Sequence, residues 1–215
     1  MTLCARTASE IDAAAEAIRA NGGTAEVLVL DVTDVTAASA AIGAAEPFDI
    51  LVNNAGTNRP NHVSAVSVAD FDFVMNLNVR ASYFVAQAVS RRLIQAGVGG
   101  SIINISSQMG HVGAENRSLY CASKWAMEGF SKAMALDLAR YGIRVNTIAP
   151  TFIETSLTKP FLEDQLFKDQ VMSKIKLGRL GQVEDLMGAI VYLASDASSL
   201  TTGSSMLIDG GWTAA

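Results

Sequence analysis

"FDILVNNAG", residues 48–56, runs from an apolar strand straight into two asparagines, an alanine and a glycine. A continuous Ile-Leu-Val run suits a strand covered on both faces, as in a parallel sheet. The amides are harder to place. An amide pair at a strand end can bond backbone and leave the chain open for a flat ligand. Asn and Gly are also ordinary turn residues. The stretch decides the fold only together with its neighbours.

Outward from it, helical and strand periods alternate. On the N-terminal side lie "MTLCART", which reads as a strand, the alanine-rich helix "SEIDAAAEAIRANGG" with glycines suited to a C-terminal cap, and the strand "AEVLVLDV". A short helix from Ala37 to Ala45 leads into the opening stretch. Residues 67–96 read as helix, broken near Asn76–Asn78. "GSIINISS" is the next strand, Leu119 to Tyr141 a long helix, "IRVNTIAP" a strand, 182–195 a helix and "SSMLIDGG" the last strand. Apolar strands joined by helices predict a single α/β domain, a doubly wound parallel sheet over residues 1–215, with the least regular part, Thr151 to Gly181, inserted as a substrate lid. In such a sheet ligands bind beyond the carboxyl ends of the strands, here Asp31-Val32, Asn53 to Gly56, Ser106-Ser107 and Ala149-Pro150.

The totals narrow the class. The chain has 215 residues, half of them hydrophobic, which is ample for a core. A net charge of −5 gives no basic footprint for nucleic acid or an anionic membrane. No apolar run approaches the roughly 20 residues that span a bilayer. Two cysteines, Cys4 and Cys121, argue against a disulfide framework and fit a reducing cytoplasm. Two histidines without a Cys/His cluster argue against a metal site.

"YCASK" places Tyr120 and Lys124 four apart on one helix, on one face. A tyrosine with a pKa near 10 is a poor acid or base at neutral pH, and a nearby ammonium favours its phenolate. Ser107, ending the preceding strand, can donate to a substrate oxygen. Asn78, at a helix irregularity, can hold a water near Lys124. Together these groups move a proton on or off a carbonyl or alcohol oxygen. Taken singly each has a plainer reading: a solvated helix face for the Tyr/Lys pair, a turn or cap for the serine, a capping amide for Asn78. Their coincidence at strand ends, in order and below "NNAG", favours chemistry. His111 reads as a solvated loop residue, Cys121 as packing, and Met75, Met127 and Met134 as core filler.

With "LDVTD", "DILVNNAG", "NLNVRASYF", "GSIINISS", "YCASKWAMEGFSKAMALDLARYGIRVNTIAP" and "YLASDASSLTTGSSMLIDGGW" on the page, the chain resembles the short-chain dehydrogenase/reductase family. It is most similar to that family's 3-oxoacyl-carrier-protein reductase and gluconate dehydrogenase members. The resemblance implies an NAD(P)-dependent oxidoreductase acting on a small secondary alcohol or ketone. It implies Tyr120 as acid/base, Lys124 as the group that lowers its pKa and binds the nicotinamide ribose, Ser107 on the substrate oxygen and Asn78 anchoring a relay water. Asp31 and Val32 would meet the adenine, Asn54, Ala55 and Gly56 the ribose side, and Ile153 and Thr155 the carboxamide.

Two departures stand out. Pro150 is followed by Thr151 where the family has glycine. The glycine-rich strand-turn-helix that opens the family, roughly 30 residues, has no counterpart, and no G-x-x-x-G-x-G occurs in the chain. The missing strand is central, so the expectation is an N-terminally incomplete Rossmann-like sheet, with orphaned backbone groups costing about 1–3 kcal/mol each. At the end of "MTLCART" an NAD enzyme commonly places an acid. Here Ala5 is followed by Arg6, suited to a 2′-phosphate, with Glu10 and Asp12 as the nearest acids in sequence. The expected cofactor is therefore NADP, with NAD as the alternative. Apolar helices and the end "SSMLIDGGWTAA" suggest a homotetramer. The competing function is a catalytically silent binding or assembly subunit with the same fold.

Overall fold

The computed structural model describes residues 1–155 and 158–214. Six parallel strands, β1 Thr2–Ala5, β2 Glu26–Val29, β3 Ile50–Asn53, β4 Gly100–Ile105, β5 Ile143–Pro150 and β6 Ser205–Ile208, form the α/β framework. Four of them make one sheet in the order β3-β4-β5-β6. The helices between them are α1 Ala8–Ala20, α2 Val35–Ala44, α3 Val68–Met75, α4 Ser82–Ala96, α5 Ser118–Leu138, α6 Lys159–Leu162, α7 Gln165–Lys174 and α8 Glu184–Ala194.

Both faces of the central strands are buried, which explains their uninterrupted apolar sequence. Ile102 and Ile103 are neighbours in β4 and point to opposite faces, as the strand period requires. Each is 0% exposed, and they belong to different clusters. Ile102 packs with Ile42, Val85, Val89, Leu93, Leu138 and Val145 beneath α2, α4 and α5. Ile103 packs with Ile148, Ala189 and Leu193 beneath α8. Each such side chain contributes about 1.5–3 kcal/mol by burial. Gly100 permits the close approach of α4, because a Cβ there would lie 2.7 Å from Leu93 Cδ1 and 2.8 Å from the Asp49 carbonyl. Gly142, at φ +70°, turns the chain from α5 into β5 in a conformation that costs other residues more.

The sheet is interrupted between β1 and β3, as expected, and this leaves β2 and β3 partly uncovered. β1 pairs only with β2, as a separate two-stranded sheet. No pairing joins β1 to β3 among the described residues, and Val29, Ile50 and Val52 are 54%, 46% and 38% exposed. The break falls where the absent glycine-rich unit was expected to matter.

The described residues of the insertion at 151–181 carry more regular structure than their sequence suggests. They include α6 and α7, held by Val171, Ile175 and Leu180 against Phe152, Phe167 and Trp212, and Ile153 bridges to Gly181. Ser156 and Leu157 of that segment lie outside the described residues. No helix among the described residues is long and apolar enough to cross a membrane.

Candidate active site

The opening stretch resolves into two jobs. Asn53 is buried, and its amide donates to the Ser82 carbonyl at 3.0 Å and to Asn104 Oδ1 at 2.8 Å. Asn104 then donates to Ser131 Oγ at 2.8 Å. One amide pair thus ties β3 to β4 and both to α4 and α5. Asn54, Ala55 and Gly56 beyond it are exposed. At Gly56 a Cβ would stand 3.6 Å from Asn78 Oδ1 and 3.9 Å from Lys124 Nζ, so this backbone lies against the candidate catalytic groups.

Asn78 sits in a single π-helical turn, Asn76–Ala81, between α3 and α4. Its Oδ1 accepts from the Thr57 amide at 2.8 Å, and its Nδ2 donates to the Thr57 carbonyl at 2.9 Å and to Ser123 Oγ at 3.0 Å. Both amide protons are therefore spent on the protein. The side chain fixes the π-turn and the loop after β3.

Ser107 leaves β4 and caps a short 3₁₀ turn, accepting from the Met109 amide at 3.1 Å. Its hydroxyl donates to Gln108 Oε1 at 2.8 Å. Lys124 is buried, with Nζ donating to the Ile105 carbonyl at 2.8 Å and standing 5.6 Å from the centre of the Tyr120 ring. Burial lowers its pKa to about 8, against the opposing charge of Glu128 one turn on. Burial pushes the Tyr120 phenol up, and a hydrogen bond from Ser107 and the nearby Arg117 charge pull it back. The four residues do converge where the sheet's carboxyl ends open.

Around Glu128 lies a network the sequence did not announce. Thr147 Oγ1 donates to Glu128 Oε2 at 2.9 Å, and Ser205 Oγ to Oε1 at 3.2 Å. His111 Nε2 stands 3.4 Å from the same Oε1 and 2.9 Å from Ser205 Oγ. His111 is thus a partner of Glu128 rather than a solvated loop residue. Glu128 lies four residues after Lys124, a spacing that could have flagged it. Cys121, Met127 and Met134 are buried as expected, and Met75 is half-buried.

Around the residues expected at the adenosine end is a polar cavity of about 250 Å³ lined by Arg6, Asp31, Thr33, Phe73, Asn76, Leu77 and Arg80. Asp31 accepts from the Thr33 amide at 2.9 Å and from its hydroxyl at 2.7 Å, which hold its carboxyl below the usual range. Arg6 is 3.9 Å from Asp31, so the nearest carboxylate in space is neither Glu10 nor Asp12. Val32 turns away to pack on the core. Ile153 is buried against Gly181, and Thr155 lines a second cavity, about 580 Å³, with Glu154, Lys159, Leu162, Glu163, Lys168 and Leu180. Thr151, in place of glycine, has a buried hydroxyl without a partner among the described residues.

Parallel strands, a π-turn asparagine, a strand-end serine and a Tyr-x-x-x-Lys pair with its lysine buried define the class: the chain belongs to the short-chain dehydrogenase/reductase family of oxidoreductases. A family model described as enoyl-(acyl carrier protein) reductase matches residues 1–213. Gluconate 5-dehydrogenase of Gluconobacter oxydans is 38% identical over 217 residues, covering 99% of this chain and 84% of its own. D-erythrulose reductase of Gallus gallus is 36% identical, covering 99% and 85%. A gluconate 5-dehydrogenase from Burkholderia cenocepacia, solved in complex with NADP and tartrate, superposes at TM-score 0.94 with 36% identity, covering 100% of this chain and 85% of that one.

Proposed function

We propose that this oxidoreductase interconverts a secondary alcohol and a ketone on a small polyhydroxy substrate, with NADP(H) as cofactor. The observation that carries the reading is the convergence of Ser107, Tyr120 and Lys124 beside the Gly56 backbone. The relatives, named for gluconate and erythrulose, support the substrate class. The residues present suit a dinucleotide at both ends: two guanidiniums and a carboxylate line the adenosine cavity, and a buried ammonium stands beside open backbone at the other end.

When bound, the nicotinamide accepts or supplies a hydride. The protein's part is the proton. In oxidation the Tyr120 phenolate removes the hydroxyl proton; in reduction the neutral phenol returns it to the carbonyl oxygen. Such a positioned acid/base contributes about 10²–10⁴-fold. Ser107 holds the substrate oxygen, Lys124 holds the ribose and supplies positive charge near Tyr120, and Asn78 keeps the π-turn in place. Asp31 meets the adenine, with Asn54, Ala55 and Gly56 along the ribose and the Ile153–Thr155 backbone at the carboxamide. Arg6, with Arg80 across the cavity, favours a 2′-phosphate. Residues 151–181 close over the substrate as a lid. The protein works in the cytoplasm as a homotetramer.

The test is a panel of sugar acids, polyols and ketoses with NADP⁺, NAD⁺ and their reduced forms, followed by nicotinamide absorbance. Turnover of at least one substrate is expected, faster with NADP(H). No turnover of any, with a folded protein, would leave the silent binding subunit as the better account.

A further inference from the structure

Arg117 is a buried charge with no counter-ion among the described residues, and it stands beside the candidate acid/base. It is 8% exposed. No Asp or Glu oxygen among the described residues reaches salt-bridge distance from it. The single hydrogen bond of its side chain among them is a long one, from NH1 to the Asn116 carbonyl at 3.3 Å. That carbonyl already accepts from the Asn61 amide at 3.0 Å. Asn116 adopts φ +56°, a left-handed turn that few residues take without cause, directly before Arg117 enters α5.

Its surroundings do little to offset the charge. The guanidinium carbon lies 6.0 Å from the Phe161 ring and 5.7 Å from the Phe167 ring, near the outer limit for a cation–π contact. Those rings belong to α6 and α7, in the insertion that follows β5. The charge also acts on Tyr120, three residues on along the same helix. A guanidinium removed from water without a partner is costly, and five fixed donors in a planar fork match a carboxylate. The residue is therefore a cation held ready between the proton-transfer group and the insertion.

We infer that Arg117 binds the carboxylate of the substrate, so that the enzyme acts on a polyhydroxy acid or its oxo form in preference to a neutral polyol or ketose. This rests on the alcohol–ketone reading above and narrows it, since the relatives include enzymes named for both kinds of substrate.

The experiment compares D-gluconate with D-glucitol, the same carbon chain with a hydroxymethyl group in place of the carboxylate. Binding is read by calorimetry in the presence of NADP⁺, turnover by nicotinamide absorbance, for the parent, Arg117→Met and Arg117→Lys. The expected result is tighter gluconate binding by the parent, a loss of about 30-fold or more in Arg117→Met, and partial recovery in Arg117→Lys. The gluconate-to-glucitol preference should collapse by the same factor. Without ligand, Arg117→Met should melt no lower than the parent, because it removes an unpaired buried charge; a purely structural arginine would leave a destabilised protein. Equal binding of the two probes by the parent, or equal losses for both in Arg117→Met, would overturn the inference. Arg117-dependent gluconate binding without turnover would uphold it while sinking the alcohol–ketone reading. Turnover indifferent to Arg117 would do the reverse.

Discussion

Lys124 carries opposite consequences for stability and for catalysis. Its ordinary pKa of 10.5 falls to about 8 because burial disfavours the ammonium. Below pH 8 both folded and unfolded chains hold the proton, and folding bears the full cost of burying it. Between pH 8 and 10.5 the unfolded chain binds the proton more strongly, so this residue's contribution to stability rises with pH across that window. Activity that needs the cation should fall over the same window. Denaturation of the parent and Lys124→Met at several pH values should show the difference narrowing as pH climbs from 8 to 10.5; a constant difference would mean Lys124 does not titrate there. Arg6 supports a second prediction, since it lines the adenosine cavity 67% exposed and only loosely paired with Asp31. Arg6→Ala should weaken NADPH much more than NADH, measured by fluorescence titration; equal weakening would show that Arg6 does not read the 2′-phosphate. Among single residues, those with spacing were legible and those without were not. Tyr120 and Lys124 announce themselves by helical period. Nothing in the local sequence marks Arg117, because the rings beside it, Phe161 and Phe167, lie far along the chain.

At the scale of elements, the bond between Asn53 and Asn104 holds the site's two walls together. It links the end of β3 to β4, and Asn104 passes the link to Ser131 on α5. Asn104→Ala would leave two buried partners unsatisfied, at about 1–3 kcal/mol each. The expected result is a fall in Tm of several degrees together with weaker cofactor binding. A Tm unchanged from the parent would show that the brace is dispensable. Strands and long helices could be read from sequence because their own periodicity encodes them: β4 and β5 are apolar on both faces, and the break near Asn76–Asn78 is the π-turn. α6 and α7 could not be. Only Val171 of α7 is fully buried, so the helix shows little amphipathic pattern of its own. Contacts to Phe152 and Trp212, distant in sequence, hold that region.

At the scale of the whole molecule, several large apolar side chains face outward on the helices and on the last strand. Trp125 and Leu136 of α5 are 54% and 82% exposed, and Met187 and Val191 of α8 are 50% and 61% exposed. Apolar faces that match a second copy pair isologously, and two such faces on different sides would build the proposed tetramer. Light scattering at micromolar concentration should give four times the chain mass of 22.6 kDa; a monomer would refute the assembly. The arrangement of the sheet at β1 and β3 was foreseen from the absent glycine pattern, whereas the exposure of Ile50 and Val52 came only with the coordinates. The account's central claim is that Tyr120 moves the proton in an alcohol–ketone interconversion. It is tested most directly by Tyr120→Phe, assayed for turnover on the best substrate of the panel and for NADPH binding by fluorescence. A loss of about 10²–10⁴-fold in kcat, with cofactor binding and melting temperature close to the parent, is the expected result. Activity within twofold of the parent would contradict it.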